Sequence, residues 1–231
     1  MLSKFIKKYA QKLLIFPIKA SFEKSLFFLL LLGCNTIAPD SNSKWHTIAG
    51  RDAEELPLVR LPIYRAKIAQ EWIHVEPRSE LSIIDTTKPL CEYWVNEGDG
   101  QQIRVTIHNF PLMEISPASQ IFRWQGQFDT IETETVQILQ QSFNGFLGFY
   151  LEATGVMKGS KTSLMGWAMQ PASIHRESLR SLMQQVSGRK LEWVQMEAPW
   201  TIKATGPPHL LEKYKHAIIE FARSFEWIEE V

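Results

Sequence analysis

One break in the sequence decides which part of the chain can build a folded domain. Residues 1–33 hold six lysines (Lys4, Lys7, Lys8, Lys12, Lys19, Lys24) and a single acid, Glu23. They run into Leu26-Phe27-Phe28-Leu29-Leu30-Leu31-Leu32-Gly33-Cys34. A basic start, a short apolar core and a small residue make the pattern of a secretory signal peptide. The apolar run falls short of the roughly 20 residues a spanning helix needs. Phe5, Ile6, Tyr9, Leu13 and Phe16 also recur at near-helical spacing among the lysines, so an amphipathic surface helix stays open as a second reading. The polar stretch Asn35–Ser43 reads as a tether. The expected organisation is therefore a signal peptide over 1–33, a flexible tether over 34–50 and one domain over 51–231.

Leu31-Leu32-Gly33-Cys34 resembles the lipobox of bacterial lipoproteins, with Leu three places before the cysteine and Gly just before it. The resemblance implies a diacylglyceryl group on the Cys34 thiol, cleavage before Cys34 and acylation (as with palmitate) of the new amino terminus. Two or three acyl chains anchor a domain stably where one does not. Asn35, rather than Asp, follows the cysteine. In bacteria with two membranes that resembles lipoproteins sent on to the outer membrane, so a lipid-anchored cell-envelope protein, outer rather than inner, is the expected location.

Cleavage there changes the charge. The whole chain carries 25 basic and 25 acidic residues; six of the former and one of the latter precede Cys34, leaving 19 against 24, a formal −5. An acidic domain is a poor partner for nucleic acid. With 45% hydrophobic residues the chain is globular in composition. Two cysteines exclude a disulfide scaffold and a four-cysteine zinc site. Cys91, in the apolar run Leu90–Val95, reads as a small buried hydrophobe.

Periodicity predicts a mixed domain. Arg51–Trp72, with Pro57 and Pro62, reads as an extended lead-in with a helical turn or strand over 65–72. Leu81–Ile84 and Cys91–Val95 read as short strands. Gly98-Asp99-Gly100 is a turn signal, joining Cys91–Val95 to a strand over Gln102–Phe110 as an antiparallel hairpin. That strand sets Ile103, Val105 and Ile107 against Arg104, Thr106 and His108. Ser116-Pro117 opens a helix with Ser as cap, laying Ile121, Trp124 and Phe128 on the sheet. Strands are expected over Thr133–Gln141, Phe146–Ala153, Ser163–Gln170 and Trp200–Thr205; the last alternates Trp200, Ile202 and Ala204 against Thr201, Lys203 and Thr205. Helices are expected over Ile174–Val186 and His209–Trp227. Hairpins interrupted by helices argue for an α+β domain, an antiparallel sheet covered by helices. All eight tryptophans follow Cys34, so an aromatic core is expected.

Two passages carry a further resemblance. The first comprises Leu56–Trp72 and Asp85-Thr86-Thr87-Lys88-Pro89-Leu90; the second runs from Trp200-Thr201-Ile202-Lys203-Ala204-Thr205-Gly206-Pro207 to the helix ending Phe221-Ala222-Arg223-Ser224-Phe225. Together they resemble a group of uncharacterised lipoproteins of intracellular bacteria. More distantly they resemble the PsbP-like superfamily, which includes a photosystem II extrinsic protein, a yeast Ran-binding import factor and envelope lipoproteins. Ala69 stands where a proline often precedes the early Trp. The resemblance implies about six or seven antiparallel strands between helices and no shared catalytic residues.

Motifs for chemistry are sparse. Gly155–Thr162 nearly matches a phosphate-binding loop, but Ser160 replaces the glycine before the lysine and a strand follows where a helix is needed; a hairpin turn is the better reading. Of His46, His74, His108, His175, His209 and His216, only the last pair shares a helix face, with Glu212 or Glu220 as a further metal donor; solvated surface is the simpler reading. There is no Gly-x-Ser-x-Gly elbow. Glu132 and Glu134 read as solvent-facing. Phe143, Phe146, Leu147, Phe149 and Tyr150, with Gly145 and Gly148, line either an apolar pocket or, more simply, a tightly packed core strand. No catalytic residue, cofactor, metal or nucleotide is expected. Three functions remain in order: a membrane-anchored, non-catalytic domain binding another envelope protein; a small-ligand or lipid carrier; an unrecognised hydrolase.

Overall fold

The computed structural model describes residues 43–52, 62–75, 77, 81–173, 177 and 194–228. All belong to the second of two units, Met1–Ile37 and Ala38–Val231. The expected signal peptide over 1–33, Cys34 and most of the expected 174–186 helix lie outside the described residues.

β1 (Ser43–Ala49) and β2 (Pro62–Ala69) pair antiparallel. The expected tether thus contains a strand at 43–49, and of the stretch 65–72, expected as helical turn or strand, 65–69 is strand and a turn follows at 70–71. β3 (Ile73–Val75), β4 (Cys91–Asn96) and β5 (Gln102–Asn109) follow, and β4 meets β5 through Asn96↔Gln102, the expected hairpin. The Leu81–Ile84 stretch is not a strand; it makes one bridge, Asp52↔Ser82. α1 (Pro117–Gln125) starts as expected, with the Ser116 hydroxyl accepting from the Ser119 N–H. Ile121 and Trp124 lie buried on the sheet; Phe128 is buried just past the helix end.

β6 (Thr130–Ile131), a 3-10 turn at Thr133–Thr135, β7 (Gln137–Phe143), β8 (Phe146–Met157), β9 (Ser160–Pro171) and β10 (Trp200–Gly206) complete an eight-stranded antiparallel sheet. Its order is β3-β4-β5-β10-β9-β8, and both β6 and β7 pair with the remaining edge of β8. The strand expected over 133–141 therefore starts four residues later. Two tight turns, Asn144-Gly145 and Lys158-Gly159, have positive φ at both residues, the conformation that matches strand twist in two-residue hairpins. The near-phosphate loop is thus the β8–β9 turn, with no helix behind it.

α2 (Pro208–Ser224) crosses one face of this sheet. Burying Leu210, Leu211, Ile218 and Phe221 contributes roughly 1.5–3 kcal/mol for each side chain before entropy is counted. α2 stops at Ser224, not at Trp227. There the Ser224 hydroxyl donates to the Phe221 carbonyl and accepts from the Lys67 N–H, both at 2.8 Å. The chain then becomes β11 (Glu226–Trp227), which pairs with β2. The result is α+β with a larger sheet than expected and a second, three-stranded sheet β1-β2-β11. Its main core is aromatic: Tyr64, Tyr93, Phe146, Trp167, Trp200, Phe221 and Phe225 are all fully buried. No described helix is long and apolar enough to cross a membrane.

Candidate functional site

Register assigns the two faces of the sheet. The row Tyr150, Trp167, Ile202, Ile107, Cys91 faces α2 and is apolar throughout. Cys91 is thus a core residue, as its sequence context suggested. The next row on the opposite face runs Leu151, Gly166, Lys203, Thr106, Glu92. It begins apolar, under α1, and turns polar halfway across.

That transition is built by one contact. A Cβ on Gly166 would stand 2.4 Å from the Trp124 ring, so only glycine lets the indole lie flat on the sheet. Lys203 is the cross-strand partner of Gly166 and therefore lies where α1 ends its cover. Its ammonium donates to the Gln127 side-chain oxygen at 3.2 Å. On α1, Arg123 donates to the buried Gln120 at 2.8 Å. Burial, then the charges of Arg123, Arg104 and Lys158, brings the Lys203 ammonium down to about 8. His108, next along β5, is brought down to about 4 by burial, against the pull of its Nδ1 bond to the Thr86 carbonyl at 3.3 Å. Arg51, Lys203 and Arg123 lower it further. Glu92, at the far end of the row, belongs to Arg104, which donates to it from both Nε (2.8 Å) and Nη2. That pairing holds Glu92 below the usual carboxylate range.

A second buried cation stands in a different setting. Arg51 is 3% exposed. Its Nε donates to the Asn109 side chain at 2.9 Å, Nη1 to the Asp85 carbonyl and Nη2 to the Lys88 carbonyl, both at 2.8 Å. The Gln195 side chain clasps the Arg51 backbone on both sides, accepting from its N–H at 2.5 Å and donating to its carbonyl at 3.0 Å. The Tyr64 hydroxyl donates to the Gln195 carbonyl at 2.9 Å.

The third feature is an edge. β7 reads Gln137-Ile138-Leu139-Gln140-Gln141-Ser142-Phe143 and contains no charge, proline or glycine. It pairs with β8 along its whole length, and among the described residues no strand pairs with its other side. Ile138 is 45% exposed and Leu139 49% exposed, one on each face of the rim.

Other residues singled out in the sequence fall elsewhere. Phe146 and Tyr150 are buried against Trp200, Trp227 and Trp167, so the Phe-rich strand's inward side is filled by core aromatics. Glu132 pairs with Lys161 at 3.0 Å; Glu134 lies in the exposed 3-10 turn. His216 is 3.7 Å from Glu220. His46 and His74 meet edge-on at 4.4 Å beside Tyr93, whose hydroxyl shares a 2.5 Å hydrogen bond with His46. Among the described residues no group of three His, Cys, Asp or Glu side chains converges as a metal shell requires. The alternation of β5 and β10 displayed Arg104, Thr106, His108, Thr201, Lys203 and Thr205 as polar faces. It could not show that the two faces are neighbours, because their pairing spans about a hundred residues of chain.

No family model matches the chain, and no curated protein matches it. Among solved structures, LpqN, described as involved in cell envelope biogenesis of Mycobacterium tuberculosis, is similar with TM-score 0.46 and 10% identity, over 81% of this chain and 92% of its own. Cyanobacterial PsbP (CyanoP) from Synechocystis sp. PCC 6803 is similar with TM-score 0.42 and 10% identity, over 71% of this chain and 86% of its own. Both are distant structural resemblances.

Proposed function

We propose that this chain is a lipid-anchored cell-envelope protein whose domain binds another envelope protein in an accessory or assembly role, without catalysis. Cys34 is the attachment point, and the partner adds an extended segment alongside β7. The open edge of β7 carries the reading. Exposed sheet edges are normally blunted by lysine, proline, a bulge or a short length; this seven-residue edge has none of these. Its outer N–H and C=O groups continue a sheet of eight strands. Ile138 and Leu139 offer an apolar anchor to each face of an added strand. An uncharged edge on an acidic domain selects an uncharged, extended segment.

A photo-crosslinking side chain at Leu139, in cells, tests the reading. A discrete adduct with one other envelope protein, lost in an Ile138→Lys background, is expected. An adduct of twice the chain's own mass would replace that partner with a second copy, and no adduct at all would end the proposal. Acyl labelling of wild type against Cys34→Ala tests the anchor separately: the lipidated product should begin at Cys34 and be missing from the variant.

A further inference from the structure

The polar half-face beside α1 is a place where the domain keeps positive charge that no carboxylate among the described residues neutralises. Lys203 lies mostly buried, and its hydrogen-bond partner is a neutral amide, Gln127. Arg123 likewise donates to a neutral amide, Gln120. Among the described residues neither is within ion-pair distance of a carboxylate. Glu92 shares the row with Lys203 but is two strands away, with Thr106 between them, and it is held by Arg104. The other charges that act on Lys203 are all positive: Arg123, Arg104 and Lys158. A buried cation facing other cations costs stability, and a methionine or leucine would fill the same space without that cost. Such an arrangement suits an anion that comes from outside the chain.

The geometry also suggests the shape of that anion. Lys203 is fixed by register to Gly166, and Arg123 by its neighbour Trp124, whose ring rests on Gly166. The two cations thus come from different elements held at one contact. Thr106 places a hydroxyl between Lys203 and Glu92, and among the described residues its hydrogen bond is a long one of 3.4 Å to the Lys203 carbonyl. Two unneutralised charges match a dianion, and an ammonium, a guanidinium and a hydroxyl match oxygens pointing in several directions.

We infer that Lys203, Arg123 and Thr106 form a binding site for a phosphoryl group, carried either by a soluble ligand or by a lipid headgroup. The inference does not rest on the β7 edge, which lies across β8 and β9 from this site, and the two can fail separately.

Inorganic phosphate is the first probe, titrated against the full chain at pH 7 with amide chemical shifts as readout. Saturable shifts centred on α1, β5 and β10 are expected. Lys203→Met and Arg123→Gln should each weaken binding by roughly tenfold or more. Lys203→Met should at the same time raise the melting temperature in phosphate-free buffer. Vesicles of phosphatidylcholine with phosphatidic acid form the second arm. Because the lysine-rich start of the chain also attracts anionic vesicles, the readout is the difference between wild type and Lys203→Met. A difference larger than with free phosphate assigns the site to a headgroup; binding of free phosphate alone assigns it to a soluble ligand. The inference is overturned by the absence of saturable binding of either probe, by undiminished binding in both variants, or by a lower melting temperature for Lys203→Met. The last result would make the lysine a structural part of the fold.

Discussion

Arg51 and Lys203 are both cations taken largely out of water, and the domain treats them in opposite ways. Around Arg51 the protein has arranged the carbonyls of Asp85 and Lys88, the side chain of Asn109 and a two-way clasp by Gln195. Burial lowers its guanidinium only to about 10, so it stays charged at neutral pH. Around Lys203 there is one amide oxygen and a set of like charges. The first cation ties the lead-in, the 85–90 loop and the end of β5 into one body. The second is a local stability cost that structure alone does not explain.

The sharpest test of that contrast is removal of the first cation. Arg51→Met should destabilise the domain by about 3–5 kcal/mol in urea unfolding, because it leaves the buried Asn109 side chain and the part-buried carbonyls of Asp85 and Lys88 without their donor. Arg51→Lys should recover little of this, since an ammonium cannot span the Asn109 side chain and both carbonyls at once. If Arg51→Met were neutral, the distinction between the two cations would collapse.

Next in size is His108, which faces both cations. Its folded value is depressed from 6.5 to about 4, so the unfolded chain binds the proton more readily. Stability is therefore complete above pH 6.5 and lost as pH falls towards 4, by on the order of 3 kcal/mol. Unfolding across that window should show the loss in wild type and a flatter profile in His108→Gln.

Lys203→Met should go the other way from Arg51→Met, gaining on the order of 1 kcal/mol at pH 7. The folded ammonium is depressed from 10.5 to about 8, so wild-type stability should rise with pH across that interval. The variant should lack the rise. The smallest effect belongs to the rim: Ile138→Lys should change stability by no more than about 0.5 kcal/mol while removing the adduct formed from position 139.

What could be read from the sequence tracks how local each interaction is. The β4–β5 hairpin follows from Gly98-Asp99-Gly100 and a clean alternation, and α1 from Ser116-Pro117. The Asn144-Gly145 turn was equally local: it is a strong hairpin signal between Phe143 and Phe146. Read as part of a Phe-rich run, it hides that the strand expected over 133–141 runs on to Phe143 and pairs with β8, and with that the open edge. β9 lost its alternation because Ser163–Met169 is buried on both faces. β11 was absorbed into the last helix because its pairing with β2 joins residues some 160 apart. The phosphoryl site is the extreme case: Arg123, Lys203 and Thr106 are unremarkable until the register brings their elements together.

The contact of Trp124 with Gly166 has a consequence for how the domain breathes. Nine residues make a helix too short to persist alone in water, so α1 exists because its indole and Ile121 are seated on the sheet. Its amides should therefore exchange together, through an opening smaller than global unfolding. Such an opening would spare the eight-stranded sheet and carry Arg123 away from Lys203. An anion bridging the two would act as a latch on α1, so that occupancy of the site and the lifetime of one short helix become the same quantity.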